Sequence, residues 1–385
     1  MTVYTIGLIL PLLFYILVFA IEQFTKKSCA KIDESFSRIL FIYYTFFTIF
    51  RGTSVGTDLH NYVRRYYLMS QYDFSSITVW HERWNFEYGF LFINKVLGYV
   101  NNSPQIFILV SGLFILATTH WAIKKYSLSP CLSYYFYVVF IFWATSLNLV
   151  RLFIAMSICL MSISCIKEKK LKRYIILVLA AALIHRSSII FLILYPFCKV
   201  KINLRRIMLF FSGCAFVYIL GKNLIGIAIR GFSSLYYEKY SARIGSGSGN
   251  GMLLLLIFVF AVCYLNEIYG SKEGIKSSSN KMFEEKLSYN DIWLHMVLLA
   301  IAFNVVALKL EIAARMMWFF KLGLLFLIPN TFRFYNARRK GDIFLFLGFI
   351  MVCLILPVIY YHSSMVTDNF GIVPFVFFGN TLIAY

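Results

Sequence analysis

Arg51, Asp58, Glu87, Arg151, His185 and Arg315 are the residues of this chain best placed to do chemistry, because each lies beside or inside a strongly apolar run. An ionisable group in such a place is costly unless it is paired or lines a wet cavity, so by default it marks a functional site. The planar fork of arginine matches phosphate or carboxylate oxygens two at a time. A carboxylate or an imidazole can accept the proton of an attacking alcohol. The types present therefore fit the handling of an anionic ligand together with proton transfer.

The elements that must position these groups are membrane helices. Of 385 residues, 60% are hydrophobic and only 14% are charged, and the mean hydropathy is +0.74. Soluble domains average about 25% charged residues. Several runs reach the roughly 20 apolar residues that a bilayer requires. Runs near 3–24, 36–50, 104–123, 130–147, 149–166, 206–223, 252–269, 291–310, 312–332 and 342–361 read as full crossings. The first has no basic segment ahead of it and no small-residue cleavage site, so it reads as a retained helix and not a signal peptide. Two apolar stretches do not fit as simple crossings. The stretch 88–100 is short, and 172–199 is basic at both ends with His185 near its middle. The second reads as a broken or re-entrant hairpin, a device that builds sites in transporters. The expected fold is an all-α polytopic membrane protein with about 10–12 transmembrane helices, including re-entrant or broken segments, in a single membrane domain spanning 1–385.

Basic loops set the orientation. Six of them, near residues 26–31, 124–125, 167–173, 199–206, 272–286 and 333–340, hold 22 of the 37 Lys and Arg residues. The positive-inside rule puts all six in the cytoplasm. The net charge of +20 follows from these loops and not from nucleic-acid binding, since no basic stripe interleaved with aromatics and no binding module is present. The outer segments are then 51–87, the turn at Asn148, 230–251, 309–315 and the tail from His362. Segments 51–87 and 230–251 are expected to cover the site. The second contains Gly245-Ser-Gly-Ser-Gly-Asn-Gly251, a flexible linker.

Each candidate has a functional and a structural reading. Arg151 follows Asn148 at the outer start of a helix, where it could grip a phosphate or snorkel to headgroups. Arg51-Gly-Thr-Ser-Val-Gly-Thr-Asp58 could bind a polyhydroxylated anion, or Arg51 could cap a helix C-terminus. His185, beside Arg186, could relay a proton or be satisfied by a neighbouring helix. Glu87 could take a proton from an alcohol or pair with Arg83 or Arg51. Arg315 is flanked by Glu311. No P-loop, HExxH or GxSxG is present. The eight cysteines include no CxxC pair, none falls in an outer loop, and no metal site or disulfide framework is expected. Asp58 and His60 are the nearest approach to a metal pair. No cofactor is called for.

The order of motifs resembles the EpsG-like family of polysaccharide polymerases, which includes Wzy-type O-antigen polymerases. The matching pieces are Arg51…Gly56-Thr-Asp58…Tyr62, Glu87-Tyr-Gly-Phe90, Asn148-Leu-Val-Arg151…Ala155, His185-Arg-Ser-Ser188, and Arg315 ahead of a run ending at Pro329. They span residues 51 to about 329 in order. The family often has Gln after the helix-start Arg, where Leu152 stands here, and the C-terminal third is generic. The resemblance implies a glycosyltransferase at the outer face of the bacterial inner membrane, acting on undecaprenyl-diphosphate-linked glycans. Arg51, Arg151 and Arg315, with Asn148 and Tyr62, would bind the diphosphate and glycan. Glu87, Asp58 and His185 would compete as proton acceptor. The bilayer, the lipid-linked substrates and a chain-length regulator are the expected partners. A flippase for lipid-linked oligosaccharides and a membrane acyltransferase are the alternatives.

Overall fold

Backbone polar groups in a bilayer must be satisfied within the chain, which leaves long apolar segments little choice but helix. The computed structural model describes residues 1–232, 250–270, 281–310, 313–334, 340–368 and 370–379. Among them every regular element is helical, and the single extended pairing is an isolated bridge between Arg51 and Phe377. In chain order the helices are α1 (Thr2–Thr25), α2 (Ala30–Ile49), α3 (Thr57–Ser70), α4 (Ile77–Trp84), α5 (Tyr88–Val100), α6 (Pro104–Tyr126), α7 (Pro130–Val139), α8 (Phe142–Asn148), α9 (Val150–Lys167) and α10 (Leu171–Ala182). A 3₁₀ helix, Arg186–Ile193, leads to α11 (Leu194–Phe197), α12 (Leu204–Phe232), α13 (Asn250–Gly270), α14 (Lys281–Leu287), α15 (Asn290–Ala307), α16 (Ala313–Lys321), α17 (Leu324–Phe334) and α18 (Lys340–Thr367).

Six helices among the described residues are long and apolar enough to cross a bilayer, and a seventh span arises if the bent pair α7 and α8 is counted as one. The expected crossing at 36–50 coincides with α2, which begins with Lys31, Asp33, Glu34 and Arg38. That at 312–332 coincides with α16 and α17. The protein is thus an all-α polytopic membrane protein with broken segments. One break falls where the sequence places it: α10 ends at Ala182, and the 3₁₀ helix starts at Arg186, just after His185. The other was not foreseen. Between α7 and α8, Ile141 takes φ 58° and the axis bends by 56°. A β-branched residue in the left-handed region is strained, and such strain persists only where the surroundings impose it. Here Ile141 is buried, at 2% exposure.

The described residues form two compact units, Met1–Ile189 with Leu354–Tyr385, and Ile190–Cys353. In the first, α2 packs against α1, α6 and α7, while α9 packs against α6 and α10. Asp33 at the start of α2 caps the start of α7, accepting from the Cys131 amide at 2.8 Å and the Ser129 hydroxyl at 3.0 Å. The C-terminal tail returns across this unit. The Gly52 amide donates to Val376 (2.7 Å), Gly56 to Gly371 (2.8 Å) and Thr57 to Phe370 (2.9 Å). The Tyr4 hydroxyl donates to Ile372 at 2.7 Å. The turn 51–57 is therefore strapped in place from behind. In the second unit α15 is central, packed against α12, α13, α16 and α17, with Trp293 against Phe326 at 4.5 Å between ring centroids.

Candidate functional site

Glu87 is the hub of the first unit's charged residues. It precedes α5 in extended backbone (φ −66°, ψ 143°), where a carboxylate complements the positive end of the helix dipole. Its Oε2 accepts from Arg151 Nη1 at 2.6 Å. Its Oε1 accepts from the Arg186 backbone amide at 3.0 Å and from Arg186 Nε at 3.4 Å. His185 Nδ1 lies 3.9 Å from the same oxygen. The carboxylate thus faces the N-terminus of the 3₁₀ helix and a side chain from the first turn of α9. These partners replace the expected Arg83 and Arg51. Arg186 is steadied by Asn85, whose Oδ1 accepts from Nη2 at 2.7 Å. Asn85 ends α4 at φ 53°, a conformation that Asn tolerates better than most residues.

Close packing brings these pieces together. A Cβ on Gly89 would lie 2.6 Å from the Leu183 carbonyl oxygen, so only glycine lets the start of α5 reach the break after α10. The Phe90 amide donates to that same carbonyl at 3.2 Å. On the other side, Arg151 sits over aromatic faces: its guanidinium carbon is 4.1 Å from the Phe86 centroid, 5.4 Å from Phe90 and 5.5 Å from Tyr62. Cation–π contacts of this kind are worth about 0.5–2 kcal/mol. They compensate in part for placing a cation at a helix N-terminus, the wrong end of the dipole.

Asn148, at the end of α8, joins the two halves of the constellation. Its Oδ1 accepts from the Asp58 amide at 2.6 Å and from the Thr57 hydroxyl at 3.4 Å, capping the start of α3 from a distance. Gly56 has φ +116°, and a Cβ there would sit 3.0 Å from the Leu147 carbonyl oxygen. Asp58 is left half-buried in the first turn of α3. Arg51 is only 1% exposed, and its guanidinium donates to the carbonyls of Thr48 (2.6 Å) and Leu147 (3.4 Å). Burial lowers its pKa to about 10, which leaves it a cation at neutral pH. It caps the end of α2 and ties that end to α8, so its donors face inward to the fold.

Glu87, Arg151, His185 and Tyr62 are therefore brought together, with Asn148 and Asp58 joined to each other alongside and Arg51 beneath them. Arg315 lies exposed on α16 in the second unit, and its neighbour Glu311 falls outside the described residues, as does most of segment 230–251. Sequence reasoning missed Phe86, Asn85 and Arg65. Arg65 carried a signal: Asp58, Tyr62 and Arg65 stand at i, i+4 and i+7, one face of α3.

A polytopic helical bundle with a carboxylate held by two arginines and a histidine at the meeting of broken helices is the class of protein these features define. A profile of the EpsG family matches residues 35–377, nearly the whole chain. The protein belongs to the EpsG family and is a membrane protein of the polysaccharide-polymerase type. Comparison with curated proteins and with solved structures finds no significant match.

Proposed function

We propose that this protein is a glycosyltransferase that polymerises undecaprenyl-diphosphate-linked oligosaccharide repeat units, with its site at the periplasmic face of the bacterial inner membrane. The observation that carries this reading is the Glu87 cluster, in which one buried carboxylate meets Arg151, Arg186 and His185 beside the faces of Tyr62, Phe86 and Phe90. Such a site combines fixed positive charge for a diphosphate with flat apolar faces for a sugar ring.

In the reaction, a hydroxyl oxygen of the acceptor repeat unit attacks the anomeric carbon of the donor glycan. A C–O bond forms, the bond from that carbon to the diphosphate oxygen breaks, and polyprenyl diphosphate leaves with the bonding pair. Guanidinium groups stabilise the charge that develops on the leaving oxygen. The hydroxyl proton passes to His185. Glu87, whose oxygens are already engaged by Arg151 and Arg186, lies 3.9 Å from Nδ1 and stabilises the charged imidazole through its negative charge. Asp58, half-buried in the first turn of α3, would hold the acceptor sugar's hydroxyls.

The experiment is a gel profile of surface polysaccharide from a strain lacking this chain. A core carrying a single repeat unit supports the polymerase. Complete loss of repeat units would move the assignment to a flippase, and an unchanged ladder to decoration of a finished glycan.

A further inference from the structure

Among the described residues, Arg65 is a cation at this site whose N–H donors the fold leaves unused. It lies on α3, half-buried, with its guanidinium carbon 4.7 Å from the Phe86 centroid and 5.5 Å from the Trp84 centroid. Phe86 therefore touches two guanidinium groups, Arg65 and Arg151. The distances from its centroid, 4.7 and 4.1 Å, keep their carbons within the sum of the two. Arg151 spends Nη1 on Glu87, and Arg186 spends Nε on Glu87 and Nη2 on Asn85. Among the described residues Arg65 makes no hydrogen bond and no ion pair. It is held by ring faces alone, which fix a guanidinium plane without using its N–H donors.

The charges around it reinforce the point. Burial and the nearby Arg151 charge both disfavour the Arg65 cation, while Asp58 and Tyr62 favour it without pairing with it. Three guanidinium groups, of Arg65, Arg151 and Arg186, stand against the two carboxylates of Glu87 and Asp58, which leaves one positive charge in excess. An anion bearing more than one charge relieves it.

We propose that Arg65 binds the diphosphate of the lipid-linked substrate directly, while Arg151 is a positioning residue fixed by Glu87. The proposal rests on the polymerase reading and names which arginine of the site receives the leaving group. With Trp84 and Phe86 beside its guanidinium, Arg65 keeps its N–H fork for a phosphate, which suits bidentate contact. Trp84 itself stacks on Trp80 at 4.3 Å, which stiffens the platform.

The test is equilibrium binding of farnesyl diphosphate, with farnesyl monophosphate as comparator, to the full-length protein in nanodiscs. The wild type is expected to prefer the diphosphate at least tenfold. Arg65→Met, which keeps an unbranched stem against the rings, is expected to lose that preference. Arg65→Lys should retain part of it, and Arg64→Met, on the exposed neighbour, should retain all of it. A diphosphate preference undiminished in both Arg65→Met and Arg65→Gln would overturn the assignment and leave the polymerase reading intact. A wild type that does not distinguish the two ligands would overturn both. If Arg65→Met fails to fold, Arg65→Lys decides: a preference equal to that of the wild type would refute bidentate contact by Arg65.

Discussion

Arg151 and Glu87, 64 residues apart in sequence, meet at 2.6 Å with side chains 14% and 10% exposed. The pair crosses from the first turn of α9 to the residue before α5, and each partner explains the other's position. A cation at a helix N-terminus and a carboxylate in an apolar bundle are both costly alone. Breaking one side of a buried pair costs about 3–5 kcal/mol. Glu87→Ala should therefore destabilise the protein by roughly 3 kcal/mol in a denaturation series and abolish polymerisation. Arg151→Lys should fold but lose at least tenfold in activity, because an ammonium is a point charge without the planar fork. Full activity in the Lys variant would remove Arg151 from the mechanism. A Glu87→Arg/Arg151→Glu exchange should recover stability relative to either single variant without recovering activity.

Asn148 caps α3 through a single side-chain oxygen, with the Asp58 amide at 2.6 Å. Losing such a cap costs about 1 kcal/mol. Asn148→Ala should lower stability by that amount and reduce activity by more than the fold loss accounts for, since Asp58 is then less well placed. Asn148→Asp keeps the acceptor oxygen and should fold closer to the wild type.

Glycine positions divide by what surrounds them. Gly89→Ala would drive a methyl group to 2.6 Å from the backbone oxygen of Leu183, prying α5 from the break at His185. A marked loss of both stability and activity is expected. Gly213, by contrast, has nothing within 4 Å of an added Cβ and lies within α12. Gly213→Ala should be neutral or stabilising by up to about 1 kcal/mol. Similar thermal midpoints for the two variants would contradict the packing described.

Orientation can be read from labelling. Cysteines introduced at exposed Gln71 and exposed Lys172 should report opposite sides, with Gln71→Cys reacting with an impermeant thiol reagent from outside and Lys172→Cys protected until the membrane is opened. The reverse pattern would invert the proposed topology.

The helices and the embedded charges of Arg151, Glu87 and His185 were legible because apolar length and an ionisable group within it are local signals. The broken segment was legible for the same reason: 172–199 is basic at both ends and contains His185. Partnership was not. Nothing in the residues around Glu87 says that its counter-ions come from α9 and the 3₁₀ helix, and neighbouring Arg83 looked as good. The bend at Ile141 was hidden because no Gly or Pro marks it. The tail strap was hidden because its hydrogen bonds are made by backbone groups of Phe370, Gly371 and Val376, whose side chains carry no record of them. The contact of Arg51 with the Leu147 carbonyl was hidden too, because the two residues are far apart in sequence.

The most direct test of the central claim uses the full-length protein in nanodiscs, supplied with a lipid-diphosphate-linked repeat unit, with glycan length and released polyprenyl diphosphate measured together. The wild type should release one polyprenyl diphosphate for each linkage formed, and Arg151→Lys and Glu87→Gln should lose both products in parallel. Translocation or modification of the repeat unit with neither linkage nor release would contradict the account.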